Sequence, residues 1–308
     1  MTDRSRSPFW GSTVLVTAAL GALASPARAE VIVESWVRPA GDAAALEAAT
    51  LPRTKLDLRS LALTEGRRFD AQYDKYLWFE GIPVVNLLAR LKPPAPVDLA
   101  LLHFANGMTV PLPFRDPQVM GQLDPFIALG MRPSSAGAYD PAFPPLTRKA
   151  REFADVPVTR FSGNKMVVAR RWHPAVGEQA QPEFSPWAFV DTLVAIEFVE
   201  ARPYYRQFDV DSETRPGLAV FQQSCQFCHG ARKVGAKFGW DFVEPAPLYS
   251  HRKGEARLYY HVRFRRYDAV ERGQNMPALK FMTRTDAGNL WQWLKAIGTK
   301  PMVAYAPR

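Results

Sequence analysis

The chain of 308 residues contains only two cysteines, and both fall in one five-residue stretch, Cys225-Gln226-Phe227-Cys228-His229. Cys-x-x-Cys-His is the attachment pattern for haem c. Each position has a chemical reason. Two thiols add across the two vinyl groups of haem, and a gap of two residues lets one helical turn present both sulfurs to one porphyrin edge. The histidine that follows places an imidazole nitrogen under the iron as the proximal ligand. Three plainer uses of the pair compete. A zinc site needs a second ligand pair, and no other cysteine exists. A thioredoxin-like dithiol needs a strand-to-helix setting and has no histidine after it. A structural disulfide suits an exported chain, but the trailing histidine argues against it.

The sixth iron ligand must come from further along. Met276, in Asn275-Met276-Pro277 and 47 residues after His229, is the first candidate. A thioether is soft and suits Fe(II), and the proline after it stiffens the loop that delivers it. Met282 and Met302 compete, and His251 or His261 would give bis-histidine ligation instead. The bland reading of Met276 is a gap-filler in a hydrophobic core.

The start of the chain reads as a secretory signal over 1–29. Arg4 and Arg6 give a positive n-region, 13–24 is an apolar core of 12 residues, and Ala27-Arg28-Ala29 supplies small residues for cleavage before Glu30. The expected location is the periplasm. No later apolar run reaches the ~18 residues of a membrane span, so no integral membrane segment is expected after cleavage. With 47% hydrophobic and 22% charged residues, disorder throughout is excluded. The 27 prolines favour loops and short strands over long helical bundles.

Charge is unevenly spread. The formal net charge is +9, and the leader's +2 accounts for part of it, leaving +7 on the mature chain. Residues 212–308 hold 16 Lys and Arg against 7 Asp and Glu, a net +9, so the rest of the mature chain carries −2. A basic end of this kind is either a solvated surface or a docking face for an acidic redox partner. No nucleic-acid partner is expected.

Strand signals dominate 31–203. Val31-Ile32-Val33 with Trp36-Val37, and Tyr76 to Glu80, read as strands. Pro83 opens a helix over 84–91. Apolar runs at 99–104 and 108–112 flank Asn106-Gly107, whose residues accept the positive φ angles of a tight hairpin. Residues 130–145 read as a long loop, and 166–169 and 193–199 as buried strands. The polar stretch 206–216 reads as a linker. Helices follow at 217–223, 255–266 and 285–297, the last with Thr285 as N-cap and Gly298 just past its end. His103 reads as a core or cross-strand residue. Arg170-Arg171-Trp172-His173 is an anion-binding candidate or a solvated strand end.

Residues 217–297, with a helix running into the haem motif, a methionine loop and a closing helix, resemble a small monohaem cytochrome c domain of the mitochondrial and bacterial type. The resemblance implies that Gly217 and Phe221 meet the end of the last helix that carries Trp291 and Trp293. It also implies that a proline carbonyl after the motif, Pro245 or Pro247, accepts the histidine N–H. More faintly, 31–199 resembles the pterin-binding fold of the sulfite oxidase family. Phe79-Glu80-Gly81-Ile82-Pro83 leads into Val84-Val85-Asn86-Leu87-Leu88, Phe104 to Met108 forms a turn, and Ser185-Pro186-Trp187 precedes Ile196-Glu197-Phe198-Val199. That family holds molybdenum through a protein thiolate, and no cysteine lies outside the haem motif here. Molybdopterin is therefore not an expected cofactor.

The expected architecture is a signal peptide at 1–29, an α+β domain with a mixed sheet at 30–205, a linker at 206–216 and an all-α cytochrome c domain at 217–308. The expected function is single-electron transfer by one covalent haem c, with Cys225 and Cys228 as anchors and His229 and Met276 as axial ligands. The N-terminal domain then binds a partner or ligand. The alternative is an oxidoreductase, or a subunit of one, acting on a small anion in that domain. A third reading is an assembly subunit with an auxiliary haem.

Overall fold

The computed structural model describes residues 30–38, 51–71, 75–132, 160–174, 177, 185–190, 192–251, 254–264 and 276–299. The predicted leader, the loop sequence after Arg132, Asn275 and Met302 lie outside them. Among the described residues the chain is a mixed α/β structure with three sheets and seven α-helices.

A five-stranded sheet is built from β1 (Ile32–Val37), β2 (Thr54–Asp57), β5 (Leu99–Phe104), β6 (Thr109–Leu112) and β9 (Leu193–Val199), in the order β2-β1-β9-β5-β6. All its pairs are antiparallel except β1 with β9, which is parallel. A four-stranded antiparallel sheet, β3-β4-β7-β8, comes from β3 (Thr64–Asp70), β4 (Lys75–Pro83), β7 (Phe126–Arg132) and β8 (Arg160–Val167). Helices α1 (Val84–Leu91) and α2 (Pro117–Leu123) lie in this half. Pro83 is the N-cap of α1, and Asp116 caps α2 by accepting from the N–H groups of Gln118 and Val119.

The period-two alternation of β5 determines how the two halves of the chain meet. Ala100, Leu102 and Phe104 enter a core shared with β1, α1, β7 and β8. Leu99 and Leu101 enter a second core made mostly by the helices that follow β9. One strand therefore separates the two cores, which explains why it is apolar on successive positions rather than alternating with polar residues.

Those helices are α3 (Ala201–Arg206), α4 (Arg215–Ser224), α5 (Leu248–His251), α6 (Glu255–Arg263) and α7 (Arg284–Thr299), with a two-stranded ribbon, β10 (Gly230–Ala231) and β11 (Val234–Gly235). Helices α4 and α7 cross at Gly217, where a Cβ would lie 2.6 Å from Trp293 Cβ and 2.7 Å from the carbonyl carbon of Asn289. Phe221, one turn on, stacks on Trp293 with centroids 4.7 Å apart. The stretch expected to be a linker is tied into this core. Phe208 is buried, and its carbonyl accepts from Trp293 Nε1 at 2.9 Å.

Three local expectations need correction. Helix α7 is capped two residues before the predicted cap, because Thr283 and Asp286 form a reciprocal capping box: Asp286 Oδ2 accepts from the Thr283 N–H at 2.9 Å, and Thr283 Oγ1 from the Asp286 N–H at 3.0 Å. Gly298 lies inside the helix rather than past it. In the β5–β6 hairpin only Gly107 takes a positive φ, +87°, and Asn106 does not; the Gly107 N–H bonds the Phe104 carbonyl at 2.9 Å in a three-residue loop.

Candidate haem-binding cavity

Helix α4 delivers the motif. Cys225 is its C-cap, with its N–H on the Phe221 carbonyl at 2.8 Å, and the chain continues as a turn in which the N–H groups of Cys228 and His229 both bond the Cys225 carbonyl, at 3.1 and 2.9 Å. One turn thus presents both thiols and the imidazole to the same side. They line a cavity of about 360 Å³ together with Met276 and His261. That volume is within the range of small-molecule and cofactor sites. Leu258, Val262, Leu279, Leu290 and Leu294 make much of its wall apolar.

The imidazole of His229 is fixed on three sides. Its Nδ1 donates to the carbonyl of Trp240 at 2.8 Å. A carbonyl can only accept, so Nδ1 carries a proton, and in the neutral ring the lone pair is on Nε2. One ring face stacks on Phe242, centroids 4.7 Å apart. Gly239 lies against the ring: a Cβ there would sit 2.6 Å from Nδ1 and 3.0 Å from Nε2. The expected proline carbonyl is replaced by that of Trp240, because Asp241 folds the intervening loop inward. Its Oδ1 accepts from the N–H groups of Arg232, Val243 and Glu244 at 3.1, 2.8 and 2.9 Å, and its Oδ2 from that of Lys233 at 2.7 Å.

Burial pushes both thiols up, Cys225 and Cys228 each to about 12, with the neighbouring Cys228 adding to the effect at Cys225. A redox dithiol works through a thiolate with a lowered pKa, so this environment does not suit that use of the pair. No disulfide joins them. Among the described residues no three His, Cys, Asp or Glu side chains are grouped to hold a metal ion directly. His229 and Met276, the two side chains that would hold a haem iron, line the same cavity. The residues present fit a haem attached through two thioethers.

The competing ligands separate. Met282 is buried in the helical core and is not part of the cavity wall. The backbone of His251 ends α5. His261 reaches the cavity from α6. The anion-binding candidate 170–173 does not form one patch. Arg170 Nε donates to the Gln122 carbonyl at 3.2 Å, the Arg171 guanidinium lies over the Phe69 ring at 5.3 Å, and His173 is buried at 2% exposure in the cavity wall. Burial lowers the His173 pKa to about 4.

His103 is a cross-strand residue. Its Nδ1 is 3.1 Å from Thr109 Oγ1 on β6, its Nε2 is 3.0 Å from Glu197 Oε2 on β9, and its ring stacks on Trp36 of β1. Arg38 pairs with the other oxygen of the buried Glu197. Burial alone would raise the Glu197 pKa; the hydrogen bond from His103 and the Arg38 charge outweigh it and hold the carboxyl below its usual range.

Comparison with protein-family models, with curated proteins and with solved structures returned no match.

Proposed function

We propose that the protein is a periplasmic monohaem c-type cytochrome that passes single electrons between redox partners. The observation that carries this reading is the joint placement of Cys225, Cys228, His229 and Met276 around one largely apolar cavity, with the His229 tautomer set by the Trp240 carbonyl. Cys225 and Cys228 would hold the haem covalently, each thiol S–H adding across one vinyl C=C. A carbon–sulfur bond forms, the hydrogen goes to the other vinyl carbon, and nothing leaves. Haem c, once bound, supplies a one-electron Fe(III)/Fe(II) couple.

The chain's own residues do the rest. His229 would hold the iron through Nε2, and the Trp240 carbonyl would strengthen that donor by accepting from Nδ1. Met276 offers a soft thioether that favours the reduced iron. The leucine-rich part of the wall would shield a bound haem from water, which would disfavour the more highly charged oxidised state. The +9 of residues 212–308 provides a docking face for an acidic partner. Among the described residues no helix is long and apolar enough to cross a membrane. The proposal includes a cytochrome c-like arrangement of α4 to α7 and a sulfite-oxidase-like scaffold in the N-terminal half. It includes no molybdenum, since no thiolate exists there to hold it.

The test is spectroelectrochemistry of protein matured in the periplasm. Oxidised protein should show a sulfur-to-iron charge-transfer band and a positive midpoint potential. Met276→His should abolish the band and lower the potential. A band that survives in Met276→Ala would overturn the ligand assignment.

A further inference from the structure

The N-terminal half contributes directly to the cavity. Phe227, the third residue of the motif, belongs to the N-terminal core, while Cys225 belongs to the helical core. The β5–β6 hairpin holds the motif by its backbone. The Thr109 N–H donates to the Phe227 carbonyl at 3.1 Å, and the Gly107 carbonyl accepts from the Lys237 N–H at 2.7 Å. His173, Ser185 and Phe189 of the same half line the cavity beside His229 and Met276. The His173 ring lies between Phe227 and Phe281, with centroids 6.2 and 5.2 Å away. Phe281 is in the segment that follows Met276.

We propose that the haem crevice is composite: the N-terminal half forms one of its walls, and His173 is a positioning residue that packs against the haem and clamps the Met276-bearing segment through Phe281. This inference rests on the haem reading of the same cavity. It gives the N-terminal half a role that partner binding does not require. The His173 backbone is anchored by two hydrogen bonds exchanged with Gly177, at 3.0 and 2.7 Å, and its buried ring packs on Phe227 and Phe281. A ring packed on Phe281 raises the cost of moving the methionine segment outward. Exogenous anions reach the iron only after such an opening, so the clamp is read in their binding rate.

The experiment uses the full-length oxidised haem protein and azide as probe. In His173→Ala the azide association rate should rise by about tenfold, the effect of a modest loss of packing on an opening equilibrium. His173→Phe, which restores ring packing, should return most of that rate, and Val85→Ala, at an exposed site, should leave it unchanged. In the wild type the His173 ring protons should show large paramagnetic shifts between the oxidised and reduced forms, a readout that does not depend on how the variants fold. Diamagnetic positions for those protons, or a wild-type azide rate in His173→Ala with haem attached, would overturn the composite crevice and leave the cytochrome reading standing. Wild-type protein without covalent haem would overturn both.

Discussion

Gly239→Ala probes the proposed iron site through a single methyl group. The new Cβ would sit 2.6 Å from His229 Nδ1 and 3.0 Å from Nε2, well inside ordinary van der Waals contact. The ring cannot yield towards Phe242, which stacks on it at 4.7 Å. It must tilt, and the 2.8 Å bond to the Trp240 carbonyl is lost. Losing that bond costs about 1 kcal/mol, and the overpacking costs about 1–3 kcal/mol more. Imidazole ligation should therefore weaken by roughly 30- to 1,000-fold. Because the histidine competes with one proton for Nε2, the acid midpoint for loss of the His229–iron bond should rise by about 1.5–3 pH units. The assay is an acid titration of the oxidised protein followed by its absorption spectrum. Haem should stay attached throughout, since both cysteines are intact. Gly121→Ala, at a glycine with open space around it, is the control. An acid midpoint in Gly239→Ala equal to that of the control would show that the ring held by this loop is not the iron ligand.

Three further outcomes are expected. Gly217→Ala drives a Cβ into Asn289 and Trp293 at the α4–α7 crossing, so urea denaturation should show a loss of roughly 1–3 kcal/mol; an unchanged midpoint would contradict the crossing. His173 is held neutral with a pKa near 4 against an ordinary 6.5, so the unfolded chain takes up its proton first. Its contribution, roughly 3 kcal/mol at most, is complete above pH 6.5 and declines as the pH falls towards 4. His173→Phe should flatten that decline between pH 7 and pH 4.5, and an equal slope in both proteins would count against the buried neutral imidazole. Electron transfer to an acidic partner should slow steeply with added salt, which screens exposed charges within about 10 Å at 0.1 M; charge reversal at Lys233 or Lys237 should slow it further at low salt, and a flat salt profile would remove the steering.

The proposed site was legible in the sequence as far as it rests on residues adjacent along the chain. The motif, the Pro83 helix, the β5–β6 hairpin and the β9 strand all follow from local pattern, and β9 occupies the predicted 193–199. What escaped the sequence depends on distant pairing. The carbonyl that orients His229 was expected from a proline, yet Asp241 turns the loop so that Trp240 supplies it. A short acidic side chain between two aromatics was the available signal for that turn. The cap of α7 moved to Thr283 because the reciprocal pair with Asp286 satisfies two backbone donors where Thr285 would satisfy one. His173 gave no sequence sign of facing the cavity, since its neighbours Arg170 and Arg171 are engaged elsewhere and its place depends on how the two halves pack. The Arg38–Glu197–His103 cluster joins β9 and β5 to the residue that follows β1, and no spacing along the chain announces it.

The central claim is that Cys225 and Cys228 hold one haem covalently. Intact mass measured under denaturing conditions, on protein matured in the periplasm, tests it most directly. The mass should exceed that of the processed polypeptide by one haem, the peptide containing residues 225–229 should carry the whole increment, and Cys225→Ser with Cys228→Ser should remove it. A wild-type mass equal to the bare polypeptide, with the two cysteines recovered as free thiols or as a disulfide, would contradict the account.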